Sequence, residues 1–183
     1  MIITSIDVQT TGPEVDYHEI VGLTCIKFNA NTWKTISKFN TDVRPIHVSR
    51  VVPTALEKNG HTLEVLETFN RVAIAKSRFG DWVDNMYSDF ILPMSHDWAR
   101  ESSFIEAWLG RTRFNDIFGN PAIPMCTKSM AGLLMDCGML PEMYPSLDNL
   151  TEYFNIPHTE LDANSDAECT ILLYKKLKEL IKK

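Results

Sequence analysis

The stretch Ile2–Gly12 reads IITSIDVQTTG, and the interpretation of the whole chain starts from it. Its β-branched residues and short length predict a strand that ends close to Asp7. Side chains alternate between the two faces of a strand, so Asp7 and Gln9 are expected on the same face. The Thr-rich turn ends at Gly12, which lets the backbone approach a ligand closely. Taken alone, an acidic strand end beside a polar turn explains the motif equally well.

The composition is that of an ordinary globular protein. The 183 residues are 44% hydrophobic and 23% charged, which predicts one soluble domain over residues 1–183. No apolar run approaches the roughly 20 residues of a membrane helix, and the first strand lacks the basic leader of a signal peptide. The four cysteines form no CxxC pair, which favours reduced thiols in a cytoplasmic protein.

The formal net charge of −6 bears on possible partners. Proteins that bind nucleic acid through counterion release are usually basic. An acidic chain that binds nucleic acid must bind it weakly, use a local basic patch, or hold metal ions that offset its carboxylates. The lysines near the end of the chain are interpreted as solvent-exposed charges at a helix C-terminus and not as such a patch.

The rest of the chain alternates strand-like and helix-like patterns. Strands at 20–28 and 33–43 are joined by a short polar link and predict a hairpin, giving three antiparallel strands with the first. Hydrophobic spacing and capping signals predict the later elements. These are helices at 54–58, 62–72, 79–86, 99–109, 128–137, 147–154 and 163–181, and strands at 90–94 and 123–126. The order predicts an α/β fold with a mixed sheet flanked by helices.

Two later segments place acids where helices begin. Ser95–Ile105 reads SHDWARESSFI, and Asp97 and Glu101 are four residues apart, hence on one helical face. Asp162–Thr170 reads DANSDAECT and places Asp166 in the first turns of the last helix. A helix cap with a solvated acid explains the first segment, and N-terminal acidic bias explains the second. Together with the strand-end acid, however, they supply the carboxylate cluster that a two-metal nuclease uses.

The order and spacing of these segments resemble the DnaQ-like, DEDD-type 3′–5′ exonucleases, which have a ribonuclease H-like fold. The resemblance covers nearly the whole chain. The first family motif, DxETTG, is matched at 7–12 except at Gln9. The second, HNxxFDxxFL, is matched in register from His96, with Asp97 for Asn, Arg100 for Phe and Glu101 for Asp. The third motif of the histidine subclass, HxAxxDA, is matched at 161–167, with Leu161 where the family has its general-base histidine.

The resemblance implies two metal ions, Mg²⁺ or Mn²⁺, and the 3′ end of single-stranded DNA or RNA as substrate. It assigns metal binding to the residues matching Asp7, Glu101 and Asp166, with Asp97 as a further candidate. Gln9 stands where the family has a glutamate that binds a metal ion and the attacking water. The candidate substrate contacts are Thr10, Thr11, Gly12 and His96.

The departures predict a weakened site. Gln9 removes a negative charge, and hard divalent ions select charged oxygen ligands. Glu101 keeps the charge but lengthens the side chain by one methylene where placement is critical. Leu161 cannot accept a proton, and loss of a general base costs roughly 10²- to 10⁴-fold in rate. His158 is the candidate substitute base, although a loop histidine after a proline is its ordinary interpretation. Asp97 is the candidate to restore the missing charge.

Two functions therefore remain open. The chain is either a 3′–5′ exonuclease with a degenerate site and reduced activity, or a non-catalytic module that binds a nucleic acid end or a protein. The number of acidic ligands favours the module, and the family resemblance favours the enzyme. Kinases and Rossmann enzymes are set aside because the chain has no Gly-rich phosphate loop.

Overall fold

A computed structural model describes residues 1–86, 90–119, 122–158 and 163–182. Within these residues six strands form the central sheet: β1 (Ile2–Thr10), β2 (Ile20–Asn29), β3 (Thr35–Arg44), β4 (Asn70–Arg71), β5 (Pro93–Ser95) and β6 (Met125–Cys126). The α-helices are α1 (Pro53–Asn59), α2 (Leu63–Thr68), α3 (Val72–Met86), α4 (Trp98–Leu109), α5 (Arg111–Phe118), α6 (Thr127–Asp136), α7 (Leu147–Tyr153) and α8 (Ala163–Ile181). A 3₁₀ turn at Val48–Arg50 follows β3.

The sheet has the strand order β4-β3-β2-β1-β5-β6. Strands β1, β2 and β3 pair antiparallel, whereas β5 runs parallel to β1 and β6 parallel to β5. The sequence predictions of a mixed sheet and of three antiparallel first strands are confirmed. Strand β1 lies inside the sheet, so the acidic end of this strand is surrounded by other elements.

Both faces of β1 are buried, which explains why it occupies the interior. Ile6 and Val8 contribute to the larger apolar core, together with Phe79 of α3 and Phe104 of α4. Ile3 packs in a second cluster with Tyr174 of α8 and other apolar residues. Burying a large aliphatic side chain stabilises a fold by roughly 1.5–3 kcal/mol, so this strand fixes α4 and α8 relative to the sheet.

Helix α8 is anchored to β1 by a polar contact as well as by packing. The Ser5 hydroxyl, which is fully buried, donates to the carbonyl oxygen of Ala167 at 2.9 Å. Tyr174 and Leu177 of the same helix are buried, in agreement with the predicted apolar face. The first turns of α8 are thereby held beside the carboxyl-terminal half of β1.

Some element boundaries differ from the sequence predictions. Val72 begins α3 instead of extending the helix at 62–72, because β4 interrupts the helical pattern and pairs with β3. Strand β5 begins at Pro93 and not at residue 90, and Phe90 is 60% exposed. Helix α5 was not predicted. It is bounded by Gly110 and Gly119, whose φ angles of 84° and 83° suit glycine best.

The lysines of α8 are not all on a solvent face. Lys178 donates to the Ala30 carbonyl oxygen at 3.4 Å, and its Nζ lies 5.5 Å from the centroid of the Trp33 ring. Lys175 lies over the same ring at 5.8 Å. The prediction of a wholly solvated basic face is therefore wrong for these two residues, which help to cover the second apolar cluster.

Two further expectations concern cysteines and membranes. All four cysteines are free, and two of them, Cys25 and Cys169, are buried. None of the helices in the described ranges is both long enough and apolar enough to cross a membrane.

Candidate active site

Asp7 lies on β1, opposite Thr24 of β2, and is partly buried. Burial raises the pKa of the Asp7 carboxyl well above its usual value, and the negative charges of Glu101 and Asp166 raise it further. The guanidinium of Arg100 acts in the opposite direction. Because both acids act on Asp7, the structure brings the three residues together, and we call Asp7, Glu101 and Asp166 the acidic cluster.

Glu101 belongs to the buried face of α4 and is only 5% exposed. Its Oε2 accepts a hydrogen bond from the backbone N–H of Val8 at 2.8 Å, and its Oε1 accepts one from Arg100 Nη1 at 2.9 Å. Burial raises the pKa of Glu101 to about 7, although Arg100 and the Val8 N–H oppose the rise. The interpretation of Glu101 as a solvated surface acid is therefore wrong.

Arg100 supplies a positive charge beside the acidic cluster. While one guanidinium nitrogen binds Glu101, Nη2 donates to the Thr10 hydroxyl at 3.0 Å. The guanidinium carbon lies 5.2 Å from the centroid of the Phe104 ring. Arg100 thus links the end of β1 to the first turn of α4. Sequence reasoning treated this residue only as a departure from a motif, although its position next to the acid was a usable signal.

Gln9 is held by its neighbours on both sides. Its Oε1 lies 3.2 Å from His61 Nε2, and burial lowers the pKa of His61. A neutral imidazole with its proton on Nε2 donates to the amide oxygen. On the adjacent strand, a Cβ at Gly22 would lie 2.8 Å from the same oxygen, so glycine leaves the space that the Gln9 side chain fills. The role of His61 was not anticipated from the sequence.

The third acid of the cluster is paired with a histidine. His158 Nε2 lies 2.6 Å from Asp166 Oδ1, and its Nδ1 lies 3.4 Å from Asp148 Oδ1 at the start of α7. The His158 side chain is 13% exposed. The structure therefore brings this loop histidine into contact with Asp166, while Leu161, the predicted departure from the third motif, lies outside the described residues.

Asp97 and His96 belong to a network at the N-terminal end of α4, and the charge of Asp97 contributes to the raised pKa of Glu101. The Asp97 carboxylate accepts from Lys128 Nζ at 2.8 Å, which lowers the pKa of Asp97. Asp97 occupies the N-cap position of α4 without a side-chain capping bond. Both ring nitrogens of His96 are engaged, one with the Thr127 hydroxyl at 3.0 Å and the other with the Pro145 carbonyl oxygen at 2.9 Å. These two side chains connect α4 to α6.

The turn after β1 is also engaged internally. Thr10 donates to the Gly12 carbonyl oxygen at 2.8 Å, and the Thr11 hydroxyl accepts from the Glu19 N–H at 2.9 Å. A Cβ at Gly12 would overlap the ring of His18. Glycine is therefore required here by protein packing. The buried hydroxyls of Thr10 and Thr11 hold the turn in place.

The residues of the acidic cluster, as arranged, do not fit a pair of divalent ions. In the described ranges no three Asp, Glu, His or Cys side chains are grouped so as to hold a metal ion. Both Glu101 oxygens already accept hydrogen bonds, and Asp166 Oδ1 is bonded to His158. The Arg100 cation and the uncharged Gln9 complete a donor set with too little free negative charge.

Solved structures share this arrangement of elements. Exonuclease I from Methylocaldum szegediense aligns with a TM-score of 0.81 and 16% sequence identity over 97% of this chain. The cell-death related nuclease CRN-4 aligns with a TM-score of 0.76 and 13% identity over 98% of it. The nuclease domain of 3′hExo, a DEDDh family member bound to rAMP, aligns with a TM-score of 0.69 and 14% identity over 99%.

The chain has a DnaQ-like exonuclease fold. It spans 92% of the 3′hExo nuclease domain but only 64% of CRN-4 and 40% of the Methylocaldum exonuclease I. No protein-family profile matches the chain, and no curated protein is similar enough in sequence to match it. The structural alignments establish the fold, but sequence identities this low say nothing about chemistry. What the candidate site can do must therefore be argued from its own residues.

Proposed function

We propose that this chain binds the 3′ end of single-stranded nucleic acid at the acidic cluster and hydrolyses it far more slowly than a complete DEDD site does. The observation that carries the proposal is the meeting of Asp7, Glu101 and Asp166 at the end of β1 on an exonuclease fold. Carboxylates from three separate elements repel one another, so bringing them together lowers the stability of the fold. Such arrangements are typical of active sites, where function maintains them.

Nucleic acid as the ligand is supported by the structural neighbours. One is exonuclease I of E. coli in complex with a dT13 oligonucleotide, and another is a 3′-exonuclease that recognises the histone mRNA stem-loop. One neighbour binds DNA and the other RNA, so they support a nucleic acid end without selecting the sugar.

Reduced hydrolysis follows from how the acids are used. The family resemblance implies Mg²⁺ or Mn²⁺, but Arg100 already pairs with Glu101, and His158 already contacts one oxygen of Asp166. Gln9 adds no charge, so we expect divalent ions to bind weakly. His158 remains the candidate base because it touches Asp166, yet its Nε2 must give up that bond before it can accept a proton from water.

The test is cleavage of a 5′-labelled single strand of 12 nucleotides at fixed Mg²⁺ or Mn²⁺, resolved on a denaturing gel. We expect slow removal of nucleotides from the 3′ end by the native protein and none by Asp7→Asn. Gln9→Glu with Leu161→His restores a charge and a base and should raise the rate at least about tenfold, since a positioned base contributes roughly 10²- to 10⁴-fold. The two changes act on one reaction centre and need not be additive.

The second candidate is a module that binds the same end without cutting it, and the position of Arg100 between Glu101 and Thr10 favours it. Binding of the 12-nucleotide strand without cleavage, together with no gain in the double variant, would establish the module. Failure to bind single strands of either DNA or RNA would overturn both candidates. Equal cleavage by the native protein and Asp7→Asn would place the activity outside the acidic cluster.

A further inference from the structure

A cavity of about 250 Å³ lies where the loop after β1 meets α3 and α4, and the preceding proposal gives it no role. The loop after β1, the 3₁₀ turn, α3 and α4 form its walls. We call it the side cavity and define it by the residues that matter for its chemistry: Tyr17, Arg50, Lys76, Phe104 and Trp108. It combines three aromatic rings with two cations, the pairing that single-strand-binding grooves use.

The two cations of the side cavity are partly buried and lack acidic partners. Within the described part of the chain, neither Arg50 nor Lys76 takes part in an ion pair. Arg50 lies 4.9 Å from the centroid of the Tyr17 ring, and Lys76 Nζ lies 5.9 Å from that of Trp108. The rings hold both charges at the cavity instead of letting them extend into solvent. Two cations held in this way favour an anionic ligand.

Trp108 offers a second, independent sign of an unfilled site. It is 8% exposed, and among the described side chains its indole Nε1 is buried without a hydrogen-bond acceptor. Buried polar groups are nearly always paired, and leaving one unpaired costs roughly 1–3 kcal/mol.

Two acids, Asp16 and Glu19, also line the side cavity, and no described ion pair joins either of them to Arg50 or Lys76. Glu19 is occupied by its own chain, because its carboxylate accepts from the N–H of Ile46 at 3.2 Å and from that of His47 at 2.8 Å. The His47 ring lies 3.5 Å from the same carboxylate. Asp16 is exposed at the rim. Arg50 and Lys76 are therefore the cations that, without an ion-pair partner among the described residues, an anionic group of a ligand would meet.

Helix α4 contributes residues both to the side cavity and to the acidic cluster. The Phe104 ring that lines it is also the ring beneath the Arg100 guanidinium, which binds Glu101. Glu101 and Trp108 are seven residues apart, which is about 10 Å along an α-helix. A strand whose 3′ end lies at the acidic cluster would therefore reach the cavity with nucleotides upstream of that end.

We propose that the side cavity holds single-stranded nucleic acid upstream of its 3′ end, with backbone phosphates at Arg50 and Lys76 and a base against the exposed Tyr17 ring. This inference rests on the proposed function, because it takes the 3′ end to lie at the acidic cluster. It also explains how a chain of net charge −6 binds a polyanion, since the needed charge is local.

The test compares a long ligand with a short one. Fluorescence anisotropy with 5′-fluorescein-labelled strands of 12 and of 2 nucleotides, as DNA and as RNA, measures affinity in EDTA, so that nothing is cut. The variant is Arg50→Gln with Lys76→Gln. The control Lys176→Gln with Lys182→Gln makes the same change in charge at two exposed residues, one on α8 and one directly after it. Circular dichroism and thermal melting establish that each variant folds.

Loss of two phosphate contacts should lower the slope of log K against log salt by about 1.4, which at 0.1 M salt corresponds to about 25-fold weaker binding of the 12-nucleotide strand. Binding of the 2-nucleotide ligand and of the α8 variant should match the native values. Equal loss in the α8 variant, or a native-like affinity of the cavity variant for the long strand, would overturn the inference while leaving the proposed function intact. If the native protein binds neither strand, the proposed function fails, and the inference fails with it.

Discussion

The charge state of Glu101 should be visible in the stability of the protein. Burial raises the pKa of this carboxyl from its ordinary 4.5 to about 7. Between these two pH values the folded protein keeps a proton that the unfolded chain has lost, so the free energy of unfolding falls as the pH rises and levels off above 7. An interval of about 2.5 pH units at roughly 1.4 kcal/mol each gives a loss on the order of 3 kcal/mol.

The perturbation is Glu101→Gln, which keeps an acceptor for the Val8 N–H and removes the titrating charge. It also removes a charge that raises the pKa of Asp7. Urea unfolding at pH 5 and pH 8, followed by tryptophan fluorescence, gives the two free energies. We expect the native protein to lose about 2–3 kcal/mol more than the variant between pH 5 and pH 8, since Asp7 titrates in both proteins and contributes to both losses.

A matched control and two other groups sharpen the measurement. Glu106→Gln changes a partly exposed acid on the same helix, one that pairs with Arg111, and should keep the native pH dependence. His61 and His96 have lowered pKa values and oppose the trend at low pH, but they act equally in all three proteins. If Glu101→Gln and the native protein lose the same free energy between pH 5 and pH 8, the claim that burial raises the pKa of Glu101 to about 7 is wrong.

Two further predictions concern metal ions and packing. The double variant Gln9→Glu with Arg100→Met adds a carboxylate and removes a cation. Mn²⁺ should raise the melting temperature of this variant, EDTA should reverse the rise, and the native protein should change little. An equal rise in both proteins would show that Arg100 does not compete with metal. Gly12→Ala forces a Cβ into the His18 ring and should cost about 1–3 kcal/mol. Gly132→Ala, whose Cβ meets nothing within 4 Å in α6, should stabilise by up to about 1 kcal/mol, and a similar cost at both positions would contradict the packing argument.

Elements that carry their own pattern were predictable from the sequence. Helix α8 has the predicted bounds, 163 and 181, because its apolar face repeats over five turns. The three antiparallel strands were predictable from their β-branched residues and from the short polar link between the second and the third. Strand β4 was not, since its two residues become a strand only through pairing with β3. Helix α5 carries a usable signal, since Phe114, Ile117 and Phe118 have helical spacing and all three are buried.

The candidate site was predictable only in part. Trp98, Glu101, Ile105 and Trp108 follow a helical repeat, so the sequence contained the evidence that Glu101 lies on a buried face. The contact of Arg100 with Thr10 could not be predicted from a helical repeat, because the two residues are 90 positions apart. Pairs of this kind depend on how α4 crosses the end of β1, and that crossing is set by the whole core.

The charges of the site separate binding from hydrolysis. Three carboxylates in one place repel a phosphate unless cations are present, and an exonuclease of this fold is expected to use divalent ions for both attraction and chemistry. Here Arg100 pairs with Glu101, and His158 contacts Asp166, both from within the chain. Arg50 and Lys76 add positive charge along the path of the strand. Fixed cations of this kind attract a polyanion without activating water, so the affinity for a 3′ end should survive chelation of metal ions even where cleavage does not.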